Sequence, residues 1–390
     1  MPNSSARVNQ IDAMHANAKN VKVDIINDID LAELEAQWQQ LQEASSHRFF
    51  LSWHWIKAWL ETCATKPFLL RAKEAEQTIG LALCCERQIR RNGFVINRCI
   101  VHETGVANND QQWIEFNDLL LHKAFEETAR AAMLTYLKAQ KNWDELAIGV
   151  ADSGTITNFA KALQLPIYTT WKTRAHHINL ASLRESNSDY LSSLSKNARA
   201  QIRRSLKAYQ QLGEVTIKHA TCEEQALEFL DEIAPIHIQR WGSGYQESGF
   251  ANPTFVDFHK QLIRNSFKQG VVDIIRIDVG EAPIAYLYNF IYQSRVYFYL
   301  SALKFESDNK LKPGLLSHAL CIQEYMDKGL DLYDFMGGGE SYKDRLANHH
   351  DEFYRVAFQQ PRLTLKLERF LRKTRNYIQN RKPAEFRLPR

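Results

Sequence analysis

The stretch YLSALKFESDNKLKPGLLSHALCIQEYMDKGLDLYDFMGGGESYKDRLA, residues 299–347, decides the fold. It closes an apolar, aromatic-rich strand, VYFYLSAL at 296–303. A polar loop, KFESDNKLK, follows, and then PGLLSHALCIQEYMDKG with helical spacing. Pro313 suits a first helical position, where its missing N–H would be unpaired anyway. Gly314 removes a side chain where a ligand can approach the backbone. A helix start offers free N–H donors and the positive end of the helix dipole. With Lys304, Lys310 and Lys312 before it and Leu315 inside its first turn, this start is a candidate anion site of the pyrophosphate-binding type. A plain loop with solvated lysines is the alternative. The strand LDLYDFMG (330–337) comes next, and the glycines at 337–339 let the chain leave it sharply.

The same order recurs upstream. Two strands flank a turn in PFLLRAKEAEQTIGLALCCER, and two more do so in VVDIIRIDVGEAPIAYLYNFI. Laid together without gaps, Leu69-Leu70-Arg71 falls on Ile274-Ile275-Arg276, Glu76 on Glu281 and Ile79 on Ile284. A helix then leads to WDELAIGV (143–150) in the first half and to LDLYDFMG in the second. The reading is an internal duplication of a mixed α/β unit. Four regions are expected: a disordered leader over 1–20, a first domain over 21–165, a second over 166–360, and a basic amphipathic tail over 361–390. The second domain opens with the helix YLSSLSKNARAQIRRSLKAYQQLG, whose Lys196, Arg199, Arg203, Arg204 and Lys207 recur every three to four residues.

Composition bounds the class. Of 390 residues, 45% are hydrophobic and 24% charged, as in a globular protein with a sizeable core. No apolar run approaches the roughly 20 residues of a spanning helix, and the first 20 residues have no apolar core like a secretory signal. None of the six cysteines forms a C-x-x-C pair, so a reducing cytoplasm is the expected location. The net charge is +4, but residues 361–390 hold ten Lys/Arg against two Glu, leaving −4 for the rest. That distribution argues against a global nucleic-acid binder, DNA included, and points an anionic partner to the tail, an amphipathic basic helix that either packs on the body or touches an anionic membrane surface peripherally.

Several chemistries are set aside. Lys343 is not followed by Ser or Thr and lacks the G-x-x-x-x-G-K spacing of a P-loop. WGSGY (241–245) is not the G-x-S-x-G elbow of hydrolases. The pairs His176-His177 and His349-His350 lack the i, i+4 spacing of helical metal ligands, so no metal is expected.

Strand, anion-binding helix start, strand and a turn carrying a tyrosine is the core order of acetyl-coenzyme-A-dependent N-acyltransferases. On residues 299–347, with LSKNARAQIRRSLKAYQQLG, IHIQRWGSGYQESGF, FLSWHWIKAWL and QQWIEFNDLLL, the chain resembles the GNAT-type acyltransferases of the CelD/BcsL family, relatives of the FemAB peptidyltransferases. The resemblance implies two tandem GNAT-like domains around a shared cleft, each a mixed central sheet flanked by helices. It also implies a link to exopolysaccharide or cell-envelope synthesis. The chain departs from the GNAT pyrophosphate motif Q/R-x-x-G-x-G/A, keeping only Lys312-Pro313-Gly314. Two donors are therefore carried forward: acyl-coenzyme A, and the aminoacyl-tRNA used by FemAB relatives. A non-catalytic binding module on the same fold is a third reading.

N-acyl transfer needs an amine deprotonated, an oxyanion stabilised and a leaving group protonated. Tyr342 is the candidate acid, and Asp334, Glu340 and His237 are candidate bases. Lys343, Arg240, Trp241 and Gly338 are candidates for holding the amine acceptor, an amino sugar or amino acid derivative. Structural readings stand beside these: a strand-end carboxylate for Asp334, and a cationic helix cap for His237 and Arg240.

Overall fold

The computed structural model describes residues 21–338 and 342–378. Its strands are β1 Val21–Ile26, β2 Phe68–Glu74, β3 Gln77–Arg91, β4 Phe94–Val101, β5 Leu120–Leu121, β6 Glu145–Asp152, β7 Ile167–Asn179, β8 Val215–His219, β9 Val272–Val279, β10 Ala282–Tyr292, β11 Arg295–Leu303, β12 Leu332–Gly337 and β13 His349–Gln359. The longer helices are α1 Leu31–Glu43, α2 Trp53–Thr62, α3 Glu126–Ala139, α4 Ser153–Leu163, α5 Lys196–Gln210, α6 Glu223–Trp241, α7 Pro253–Ser266, α8 Pro313–Asp327 and α9 Leu363–Ile378.

The chain divides into two units. One takes in the described residues up to Ile56, Cys63–Lys172 and Phe353 onward; the other takes Lys57–Thr62 and Thr173–Glu352. In the first unit the strands run in the order β1-β2-β3-β4-β6-β13, and β5 pairs with β3. In the second they run β8-β9-β10-β11-β12-β7. Each unit begins with three antiparallel pairings, continues with one parallel pairing (β4 with β6, β11 with β12) and closes on an antiparallel strand. Both are mixed α/β sheets, as the sequence leads one to expect. The parallel step needs a crossover, which α3 supplies in one unit and α8 in the other.

Burial explains why the long strands read as apolar runs rather than as alternating patterns. Ile79–Cys85 of β3 and Ile284–Phe290 of β10 are buried at every position. A strand loses its alternation when both of its faces are covered. In the second unit α8 provides much of the cover, burying Leu316, Ala319, Ile322, Tyr325 and Met326 into the same core as Ile275, Leu287 and Phe335.

One break in regularity shapes the second unit. The parallel ladder of β11 and β12 holds only from Arg295–Leu332 to Tyr297–Asp334. On its other side, β12 shifts register against β7 between Asp334 and Gly337. Met336 sits there in the left-handed region, at φ 58°, a conformation unusual for a non-glycine residue and concentrated at functional sites. Past this point the two strands no longer pair.

Candidate active site

A cavity of about 600 Å³ lies in the second unit, where the β11–β12 ladder ends. Its walls are the later residues of β11, the segment that follows them, the first turn of α8, the end of α6 and residues around Gly338 and Tyr342. Among its lining residues Arg240, Lys312, Lys343 and Arg345 are basic, and Glu306 alone is acidic. The lining therefore carries an excess of basic side chains.

Each side chain is held by its element. Lys312 is the residue before α8; its side chain makes no cap, and its backbone N–H donates to Ser205 Oγ of α5 at 3.0 Å. That bond ties the helix start to the basic helix α5. Pro313, Gly314 and Leu315 line the cavity beside it. A Cβ on Gly314 would come within 3.0 Å of Leu303 Cδ1, so the helix start and β11 are already in contact there.

One turn further along α8, His318 also lines the cavity and is 1% exposed. Its Nδ1 lies 3.0 Å from the Tyr333 hydroxyl, and its ring stacks on Tyr342 with centroids 5.5 Å apart and planes at 21°. Burial, aided by the nearby Lys343 charge, lowers its pKa to about 3, so the imidazole is neutral. Lys343 is itself buried and donates from Nζ to the carbonyls of Phe335 and Gly337, each at 2.8 Å. Its ammonium thus fixes the chain where it leaves β12. Gly338 has φ 130°, and a Cβ there would lie 3.0 Å from that ammonium.

Another wall comes from α6. His237 Nδ1 lies 2.8 Å from Ser248 Oγ. Burial, with a smaller effect from Arg240, lowers its pKa to about 4. Arg240 sits over the rings of Phe305, at 4.4 Å, and Trp241, at 5.1 Å, which fixes a planar cation at the rim.

The cavity gathers ten of the sequence-derived candidates: Tyr342, His237, Lys312, Pro313, Gly314, Leu315, Lys343, Arg240, Trp241 and Gly338. Asp334, Lys304 and Lys310 are not among its lining residues. Asp334 is 3% exposed, pairs with Arg295 at 3.1 Å and accepts the Met336 N–H at 2.8 Å. Burial raises its pKa despite that arginine, and its position is that of a brace for the bulge. Glu340 lies outside the described residues. Sequence reasoning missed His318 and Arg345. A histidine amid the apolar residues of SHALC was the available signal for the first; for the second it was an arginine just past the glycines, close to Tyr342 and Lys343 in sequence. Among the described residues no group of three or more His, Cys, Asp or Glu could hold a metal ion.

Comparison with known proteins accords with this geometry. Residues 196–344, which contain every lining residue of the cavity but Arg345, match the model of the acetyltransferase (GNAT) domain family. The class that the matched domain defines is the GNAT-type N-acyltransferase. No curated protein matches the sequence. Among solved structures, FemX is similar at 11% identity over 89% of this chain and 99% of its own, with a TM-score of 0.56. L-PGS from Bacillus licheniformis is similar at 10% identity over 90% and 98%, with a TM-score of 0.54. At these identities the likeness is one of fold.

Proposed function

We propose that the chain transfers an acyl group from acyl-coenzyme A to the amine of an amino sugar or amino acid derivative. The observation that carries the reading is the coincidence of three features in one cavity: the start of α8, an excess of basic side chains, and the parting of β11 from β12. The donor's phosphates take the helix start, with Lys312 and Arg345 as counter-charges. Its acyl arm enters where β11 and β12 part. Leaving the helix start open to an anion is specific to the second unit. The equivalent helix of the first unit, α3, carries Glu126 and Glu127 in its first turn, which repel phosphate.

The reaction then needs few groups. With Nδ1–H directed to Ser248, His237 Nε2 carries a lone pair and accepts the amine proton. The amine nitrogen attacks the thioester carbon, a C–N bond forms, the C–S bond breaks, and the Tyr342 hydroxyl protonates the departing thiolate. His318 holds Tyr342 by stacking, and Lys343 holds the turn that presents it. Arg240 is the candidate grip on an anionic acceptor. A CelD/BcsL-type role in exopolysaccharide or cell-envelope synthesis, in the cytoplasm, fits this chemistry. Tyr342→Phe tests it: turnover should fall about 100-fold with acyl-coenzyme A affinity unchanged, and unchanged turnover would remove the acid from the scheme.

A second donor has one observation in its favour. Lys196, Arg203, Arg204 and Lys207 are exposed on α5, the helix joined to Lys312 through Ser205. An aminoacyl-tRNA would use such a stripe, and its activity would be lost on ribonuclease treatment and fall steeply with salt.

A further inference from the structure

The C-terminal helix α9 is amphipathic, but it packs with the wrong side inward for a core helix. The face turned to the first unit is largely polar. Glu368 is 0% exposed and accepts from Arg91 Nε at 3.0 Å, from Asn92 Nδ2 at 2.9 Å and from Arg372 at 3.1 Å. Arg372 lies over the Tyr168 ring at 3.6 Å. Leu365, 1% exposed, is the apolar member of that face. The opposite face carries Leu363, Leu367, Phe370, Leu371, Tyr377 and Ile378, which are 48–85% exposed. At 100° per residue these six fall in one arc of about 120°. Lys366 and Lys373 border the arc on one side and Arg375 on the other.

Water-exposed apolar residues scattered singly need no explanation, whereas a continuous stripe does. A helix pinned by a buried ion-pair network cannot roll to hide its stripe without breaking the pairs of Glu368. The chemistry of the stripe identifies its complement. Apolar and aromatic residues rimmed by lysine and arginine suit the boundary between lipid headgroups and acyl chains, and the rim selects anionic lipid. Residues 379–390 add Arg381, Lys382, Arg387 and Arg390 against Glu385, which strengthens the same charge complementarity. No helix among the described residues is long and apolar enough to cross a membrane, so the contact is with a surface.

We propose that the outward face of α9 docks the protein on an anionic lipid surface while its inward face stays fixed to the first unit. The proposal is independent of the acyl donor. It is tested by sedimenting the full chain with vesicles of phosphatidylcholine alone and of phosphatidylcholine with phosphatidylglycerol as about a third of the lipid. Binding should appear with the anionic vesicles and weaken about tenfold or more in Leu367→Glu/Phe370→Glu. Lys366→Glu/Lys373→Glu should abolish the preference for anionic lipid. Both variants alter exposed positions, and unchanged circular dichroism and thermal midpoint would confirm that they fold. Absence of binding to anionic vesicles, or equal binding by wild type and the Leu367/Phe370 variant, would overturn the proposal. So would a concentration-dependent dimer that the same variant dissolves, because the stripe would then face a second copy.

Discussion

Tyr342 and His318 meet as stacked rings in the cavity wall, and Lys343 beside Tyr342 donates to two carbonyls at the end of β12. Small changes here should have separable effects. Gly338→Ala forces a side chain onto φ 130° and brings a methyl to 3.0 Å from the Lys343 ammonium. We expect a loss of about 1–3 kcal/mol in chemical denaturation, together with lost activity. His237 makes a pH prediction. Its pKa of about 4 means that it stays neutral from the alkaline range down to mildly acidic solution. Histidine NMR titration should show no inflection for it near the ordinary 6.5; an inflection there would mean that the ring is not buried as described. Residue types were legible from sequence where the chemistry was distinctive, as at Lys312-Pro313-Gly314, His237 and Tyr342. The turning inward of Lys343 was not, because a lysine beside a glycine turn looks the same whether its ammonium grips a ligand or two carbonyls.

At the scale of elements, the strand–helix–strand order of 296–337 and both hairpins were readable from apolar runs, turn residues and the helix-start signal of Lys312-Pro313-Gly314. The bulge at Met336 was not, since no glycine marks its left-handed φ. Nor was the inward face of α9, because its pattern alone gives an amphipathic helix without saying which face is covered. Glu368→Ala would take the carboxylate from Arg372 and one of the two that Arg91 holds, the other being Glu145, and breaking such a buried pair costs up to about 3–5 kcal/mol. Thermal unfolding should register it, and a neutral outcome would contradict the inward packing.

A second element-scale prediction concerns His219, which joins β8 to β9 and α8. It contacts Asp273 at 2.8 Å and Glu324 at 2.8 Å. Burial alone would lower its pKa, but the Asp273 hydrogen bond and the two carboxylates outweigh burial and raise it. A histidine pKa raised by folding contributes stability that is fully present below the unfolded value near 6.5 and is lost as pH rises through the folded value. Denaturation midpoints of the wild type should therefore fall as pH rises above about 6.5, and those of His219→Gln should fall less. Equal slopes would show that the network does not carry this term.

For the whole molecule, the central point is that two units of the same strand order and pairing sense have unequal helix starts. The first presents Glu126 and Glu127 and the second Lys312, Pro313 and Gly314. The repeated strand order was legible in the paired hairpins. That β13 closes the sheet of β6 while β7 closes that of β12 was not, because strand pairing between distant segments leaves no local pattern. On the proposed function, one basic helix start in two units of like strand order predicts one donor per chain. The most direct measurement is calorimetric titration of the full chain with acetyl-coenzyme A and a longer acyl-coenzyme A, repeated on Lys312→Ala. The account predicts a single site per chain for at least one of them, weakened about tenfold in the variant, as for the loss of one charge-assisted contact. Two sites per chain, affinity unmoved by Lys312→Ala, or no binding of either acyl-coenzyme A would contradict it.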